Sequence, residues 1–389
     1  MFKSALRNFF HFTKSSEALL LIATIAGLFI ANSQFSELYR NFFNQEINFN
    51  IFTQDVGAKF SPKFIIDDFL MAIFFLLIGL ELKREILIGE LSSRKKLLLP
   101  VIGAIGGVIT PALLFCYFNG QNQENLRGFA IPTATDIAFA YAVIKAFGDK
   151  ISNSIKIFLI SLAVIDDLIA IFIIAFFYTE NLQVINLLYS FFIMFFLFLL
   201  NAKKSENLLL YLILGSALWF FVLKSAIHPS IAGVALAMFI PFKTTNKFLL
   251  ENLARKLSPF VSFIILPIFA FANSGVKIAN FSTEILFDGL ILGIALGLFL
   301  GKQIGVFLFG FLAIKLKICE LPQNSNWLEF YGVAILTGIG FTMSLFIGNL
   351  AFDNYETLDK VKIAVLIGSI LSFILGSLIL SMTKKKSVF

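Results

Sequence analysis

The feature that most constrains this chain of 389 residues is a succession of apolar runs, each long enough or nearly long enough to cross a bilayer. They fall at 18–32, 64–82, 97–118, 128–147, 155–178, 183–202, 208–223, 226–242, 258–276, 286–314, 330–352 and 361–383. A lipid interior offers no water to bare N–H and C=O groups, so a spanning segment must close its own hydrogen bonds as a helix or join a closed barrel. Runs of about 20 residues suit helices crossing a hydrocarbon core about 30 Å thick, whereas tilted barrel strands need only about ten. The fold class expected is an all-α polytopic membrane protein with about 12 transmembrane helices. Composition agrees: charged residues are 14% of the chain, against about 25% in soluble domains. The first run follows Lys3, Arg7 and Lys14 as a signal peptide does, but eleven runs come after it and Glu17 leads straight into it, so it reads as a retained span.

Lysine and arginine are divided unequally between alternate loops, 22 on the side of the N-terminus and 8 on the other. The positive-inside rule then puts both termini in the cytoplasm. The net charge of +7 reflects that bias, and no nucleic-acid partner is read from it. Cys116 and Cys319 lack metal or redox spacing. The longest outer loop, 33–63, contains the alternating stretch Ile47 to Phe52, which suits a small extracytoplasmic β-hairpin. An exposed strand edge is a template for another chain, so the 45–60 hairpin is the expected homodimer contact.

Four ionisable residues lie well inside the runs: Asp136, Asp166, Asp167 and Lys302. Each costs about 2.5 to 3.5 kcal/mol at a bilayer centre, which makes an ionisable residue there a functional candidate. Lys302 can act as counter-charge, and Asp136 can offset a half-helix N-terminus. One lysine cannot neutralise both Asp166 and Asp167, and neighbours on a helix point about 100° apart. With Thr135 and freed backbone carbonyls they form a set of hard oxygen donors suited to a small cation. Two adjacent acids also titrate as a pair, so a proton can replace a departing cation.

The fourth run carries Pro132 between Ile131 and Thr133, followed by Thr135 and Asp136, and proline inside a span removes a backbone bond. The eleventh carries Gly338 and Gly340 among Thr337, Thr342 and Ser344. Two interrupted helices, spans 4 and 11, are expected. Spans 3–5 (97–178) and 10–12 (286–383) form matching triplets that start on opposite sides, which makes them inverted repeats within a single transmembrane domain, 1–389. Elsewhere, Glu81 and Glu85 share one helix face at the cytoplasmic end of the second span and form an acidic mouth. Asp67 and Asp68 are expected to cap that span, and His228 lies at the outer start of the eighth.

Phe74 to Glu85, Ala130-Ile131-Pro132-Thr133-Ala134-Thr135-Asp136-Ile137-Ala138, Ile165-Asp166-Asp167-Leu168, Leu266 to Asn273, Gly301-Lys302 and Gly338 to Ser344 resemble, in order and over essentially the whole chain, the NhaA-type sodium/proton antiporters. The resemblance implies an electrogenic bacterial inner-membrane antiporter that expels Na⁺ or Li⁺ for H⁺, needs no cofactor and is activated at alkaline pH. It implies that Asp166 and Asp167 bind the cation and exchange protons, that Lys302 pairs with Asp166, and that Thr135 and Asp136 sit where the interrupted helices cross. Glu81 and Glu85 then belong to the pH-responsive mouth, with His228 near the outer end. The stretch Glu251 to Pro259 lacks the histidines some members carry there. The pairing of interrupted segments in two halves also points to a midplane transport site, a generalisation drawn partly from this same family.

Enzyme readings lack their motifs. Intramembrane aspartyl proteases use Tyr-Asp and Gly-x-Gly-Asp, whereas Asp136 follows Thr135 and Asp166 follows Ile165. Prenyl-transferring enzymes use Asp-Asp-x-x-Asp, whereas Asp167 is followed by Leu168-Ile169-Ala170. A passive channel has no need of titratable pairs or an inverted repeat.

Overall fold

In a computed structural model of the chain, residues 16–46, 61–89, 94–178, 182–244, 248–277 and 283–383 are described. Among them all regular structure is helical. Eight helices are long and apolar enough to cross a membrane: Leu97–Asn119, Gln123–Ala146, Asn153–Phe177, Val184–Ala202, Leu249–Ser274, Gly289–Lys315, Trp327–Ala351 and Tyr355–Ser381. Ser16–Ala31 with Ser36–Asn44, bent by 112°, brings the number to nine. The remaining apolar runs hold Met71–Leu87 and the shorter helices Leu208–Lys224 and Ser230–Phe239. Residues 47–60, on which most of the expected 45–60 hairpin falls, lie outside the described residues.

The chain divides into two compact units. The first comprises 1–87 and 174–277. Within it, Met71–Leu87 packs closely on Ser230–Phe239, where a Cβ at Gly79 would meet the Ala237 methyl at 2.7 Å. Lys83 Nζ reaches the Met238 and Ile240 carbonyls at 2.6 and 2.7 Å, placing a cation at the C-terminal end of the partner helix, where the dipole favours it. The start of the second span departs from the sequence reading. Ser61 accepts the Phe64 N–H at 3.1 Å and caps the helix, with Pro62 at its first position. Asp67 and Asp68 lie a turn further on, in a π-helical turn Ile65–Leu70, where no free helix-end N–H groups remain to be capped.

The second unit comprises 88–173 and 278–389. Glycines at 289, 293, 297, 301 and 305 recur every fourth residue and lay one face of Gly289–Lys315 against its neighbours in this unit. A Cβ at Gly301 would meet Pro111 Cα at 2.7 Å, and one at Gly297 would meet Pro132 Cβ at 2.6 Å. At the tightest crossing Gly106 and Gly305 face each other, and a Cβ on either would overlap the carbonyl oxygen of the other. Small residues allow such backbone approach in lipid, where association rests on packing rather than on the hydrophobic effect. A π-helical turn, Gly297–Gly301, ends directly before Lys302, re-aiming the side chains that follow. Trp327–Ala351 is the most enclosed span, with every residue from 332 to 348 buried.

Gly106→Ala is expected to lower the thermal unfolding midpoint of the detergent-purified protein, by the equivalent of about 1 to 3 kcal/mol for an overpacked site whose neighbour is backbone. A midpoint equal to wild type contradicts the crossing.

Candidate functional site

Asn153–Phe177 is a continuous helix because nothing in its apolar sequence interrupts it, and it carries Asp166 and Asp167 to mid-span. The two are 2% and 1% exposed, and Lys302 is fully buried. Lys302 Nζ lies 2.5 Å from Asp166 Oδ2. Thr135 Oγ1 is 2.8 Å from the same Asp166 oxygen and 2.8 Å from the Thr337 carbonyl. A hydroxyl has one proton, so Thr135 donates fully to only one of these acceptors at a time. Asp166 Oδ1 is buried and receives no hydrogen bond from a described residue.

Thr135 and Thr337 meet because helical bonding lapses on both segments. Pro132 lies in a 3₁₀ turn, Arg127–Thr133, after which Ala134 and Asp136 are extended and a helix resumes at Ile137. On the other segment, Thr337 closes the helix Trp327–Leu336, tight turns bond Gly338 to Ile335 and Ile339 to Leu336, and a helix resumes at Phe341. The two non-helical stretches bond to each other, the Asp136 N–H donating to the Ile339 carbonyl at 2.6 Å. Ser344 Oγ donates to the Ile131 carbonyl at 2.8 Å. Backbone groups released by each lapse are thus met by the other, as a medium without water requires.

Asp136 serves both resumed helices. Its Oδ1 accepts the Phe139 N–H at 3.1 Å, and its Oδ2 accepts the Thr342 N–H at 3.0 Å and hydroxyl at 2.5 Å. One carboxylate therefore faces two helix N-termini, each equivalent to about half a positive charge. Asp136 is balanced by dipoles and Asp166 by Lys302. Among the described residues no group of three or more His, Cys, Asp or Glu forms a metal cage. The acceptors grouped around Asp166 are carboxylate, hydroxyl and carbonyl oxygens, the donor set of a hard monovalent or alkaline-earth cation.

Glu81, Glu85 and His228 lie in the first unit. Glu81 lines a cavity of about 430 Å³ with Arg84, Glu251, Asn252, Arg255 and Ser258. Glu85 does not line it and pairs with Arg84 at 2.9 Å. His228 Nδ1 is 2.7 Å from Ser230 Oγ, and Nε2 is 3.4 Å from Asp68 Oδ1. Asp67 Oδ1 accepts from Asn273 Nδ2 at 2.8 Å.

A sequence model of the family described as Na+/H+ antiporter 1 matches residues 7–380. The chain belongs to this family. It is 48% identical over 381 residues, 97% of each chain, to the Na(+)/H(+) antiporter NhaA of Pelagibacter ubique (strain HTCC1062). It is 47% identical over 368 residues to the Na(+)/H(+) antiporter NhaA 2 of Campylobacter jejuni subsp. jejuni serotype O:23/36 (strain 81-176), covering 94% of this chain and 96% of that one. The Na(+)/H(+) antiporter NhaA of a Nitratiruptor species is 46% identical over 373 residues, 93% and 94% of the two chains. These relatives are named as antiporters, a class of transporter and not of enzyme.

Within this antiporter family member, Asp136, Asp166, Asp167, Lys302 and Thr135 all lie in the second unit, most of them linked by the bonds above. Sequence reasoning named Thr337 and Thr342 only as hydroxyls of the interrupted eleventh span; the structure adds that the Thr337 carbonyl takes the Thr135 hydroxyl and that Thr342 binds Asp136 through two donors. The only signal was the density of hydroxyls around Gly338 and Gly340. Glu251 and Arg255 were also missed as companions of Glu81, since an ordinary amphipathic helix carries such residues.

Removing one member of a buried ion pair strands the other, at a cost of about 3 to 5 kcal/mol. Lys302→Ala is therefore expected to lower the unfolding midpoint strongly, and adding Asp166→Asn to restore part of the loss. A double variant as unstable as the sum of the two single ones, in a double-mutant cycle, removes the coupling.

Proposed function

We propose that the chain exchanges Na⁺ for H⁺ across the bacterial inner membrane by electrogenic alternating access at the Asp166–Asp167–Lys302 site, and accepts Li⁺ there as well. The reading is carried by one observation: Asp166, fully enclosed, gives one oxygen to Lys302 and Thr135 and keeps the other without a donor. A carboxylate so placed has coordination left to offer. The cation is bound by Asp167 and Asp166, with Thr135 Oγ1 turned to present its lone pairs. Lys302 is then displaced as counter-charge.

Net charge in lipid sets the balance of ions. With Lys302 charged, Asp166 charged and Asp167 protonated, the site is neutral. With Na⁺ bound between two charged carboxylates and Lys302 still charged, the site is again neutral and one proton has left. Electrogenic exchange therefore needs Lys302 to give up a second proton, so that the loaded site carries one negative charge and two protons leave for each Na⁺. Asp136 keeps its place in both states, because helix N-termini rather than a mobile cation neutralise it.

The finer architecture follows the same reading. The eight long helices, the bent pair and the three shorter helical segments of the remaining runs make twelve spans, with both termini cytoplasmic, as the loop charges favour. The segments 123–146 and 327–351 are the two interrupted spans, and the triplets that contain them are inverted repeats in the second unit. Glu81 and Glu85 belong to the cytoplasmic mouth and, with His228 toward the outer end, to the pH response that serves sodium and pH homeostasis. The 45–60 hairpin joins two copies of the chain.

Everted membrane vesicles with an acid interior are expected to lose their pH gradient when Na⁺ or Li⁺ is added; a response to K⁺ alone overturns the cation assignment. Asp166→Asn and Asp167→Asn are each expected to abolish exchange while the protein still inserts, and transport retained by either moves the site elsewhere.

A further inference from the structure

Helix Tyr355–Ser381 presents two serines, one turn apart, to the non-helical stretch around Gly338. Ser369 Oγ accepts the N–H of Phe341 at 3.3 Å, the first residue of the helix that resumes there. That bond satisfies a helix-end donor and accounts for Ser369. Ser372 is different. It is fully buried, and its Oγ makes no hydrogen bond to a described residue. It is pressed against Gly338, where an added Cβ would overlap both Ser372 Oγ and the Leu298 carbonyl. Gly338 is thus gripped between Ser372 and the π-helical turn Gly297–Gly301 that precedes Lys302.

The position matters because Gly338 follows Thr337. The Thr337 carbonyl takes the Thr135 hydroxyl, and that hydroxyl also reaches Asp166. Ser372 therefore stands one residue from the backbone acceptor that competes with Asp166 for the Thr135 proton. A buried hydroxyl without a partner is destabilising, and an apolar group of the same shape in its place is neutral or stabilising. Groups of this kind persist where stability is traded for activity.

We propose that Ser372 is a positioning residue of the ion site. Its hydroxyl hydrogen-bonds the backbone of 337–339 in the cation-bound form, when Thr135 and the Thr337 carbonyl turn toward the ion and the segment shifts against helix Tyr355–Ser381. Ser369 anchors the turn that follows, so movement is confined to the residues on the ion side of Phe341. The inference rests on the ion-binding role of Asp166 and Asp167 proposed above.

The test uses full-length protein reconstituted in vesicles, with Ser372→Ala, Ser372→Thr and Asp166→Asn beside wild type. Apparent KM and maximal rate are measured for Na⁺, and the unfolding midpoint is measured with and without Na⁺. Ser372→Ala is expected to melt no lower than wild type without Na⁺, to keep its maximal rate, and to raise the apparent KM about two- to tenfold, the range of one net hydrogen bond. Ser372→Thr, which keeps the hydroxyl, is expected to keep the wild-type KM. A wild-type KM in Ser372→Ala overturns the proposal. So does an ion-free midpoint below wild type in that variant, which makes the hydroxyl a structural group. A threonine variant that matches alanine overturns it too. If Asp166→Asn keeps the Na⁺-induced rise in midpoint, the ion-site reading itself fails; if it loses that rise while Ser372→Ala has a wild-type KM, only the role of Ser372 fails.

Discussion

Lys302 and Asp166 stand 2.5 Å apart with no exposed surface on either side chain, and much of the second unit is arranged so that this is tolerable. Moving two charges out of water is expensive, and their attraction repays it only if geometry is close and the remaining lone pairs and protons are met. Glycine packs the helix of Lys302 closely: Gly106 and Gly305 let its backbone touch that of Leu97–Asn119. Gly107 extends the close packing, because a Cβ there would stand 2.9 Å from Val306 Cγ2, one turn beyond Lys302. The π-helical turn before Lys302 sets its direction. An apolar unit of the same size has no need for any of these features.

The two non-helical stretches depend on each other in the same way. Each alone would leave bare backbone groups in lipid, a cost of several kcal/mol for each group. Placed side by side, the Asp136 N–H meets the Ile339 carbonyl, the Asp136 carboxylate meets the Thr342 N–H, and the Thr135 hydroxyl meets the Thr337 carbonyl. These bonds hold the segments together and gather carboxylate, hydroxyl and carbonyl oxygens between them. The local structure that solves the backbone problem is also the one that gathers these oxygens.

How much of this was legible in the sequence follows from cost. Asp136, Asp166, Asp167 and Lys302 stood out because a charge in an apolar run is expensive and so needs a reason. Pro132 marked its lapse, since proline cannot donate to the preceding turn. Gly338 and Gly340 marked theirs less firmly, because glycine also serves simple helix packing in membranes. Thr342 and Ser344 counted only as hydroxyls beside the glycines, and Ser369 and Ser372 carried no signal of their own. A hydroxyl in a span ordinarily bonds its own helix's carbonyls, and only the crossing of segments some 200 residues apart in sequence shows that Thr342 and Ser344 bond elsewhere. The same holds at the start of the second span, where Asp67 and Asp68 had the composition of caps but Ser61 had the position. The meeting of Glu81 with Glu251 and Arg255 was hidden for the same reason: separation in sequence conceals neighbours in space.

The buried carboxylates also divide by how completely they are bonded. Asp136 accepts the Thr342 hydroxyl and one backbone N–H on each oxygen, so both its oxygens are engaged by groups that cannot leave without unwinding a helix. Asp166 has one oxygen engaged by a lysine side chain on a flexible stem and a threonine hydroxyl with a second acceptor at the same distance, while its other oxygen has no donor. The partners of Asp166 can be withdrawn by side-chain rotation alone. The exchange site proposed above needs groups of this second kind, supported by groups of the first. Burial and charge alone rank the two aspartates equally; their hydrogen bonds do not.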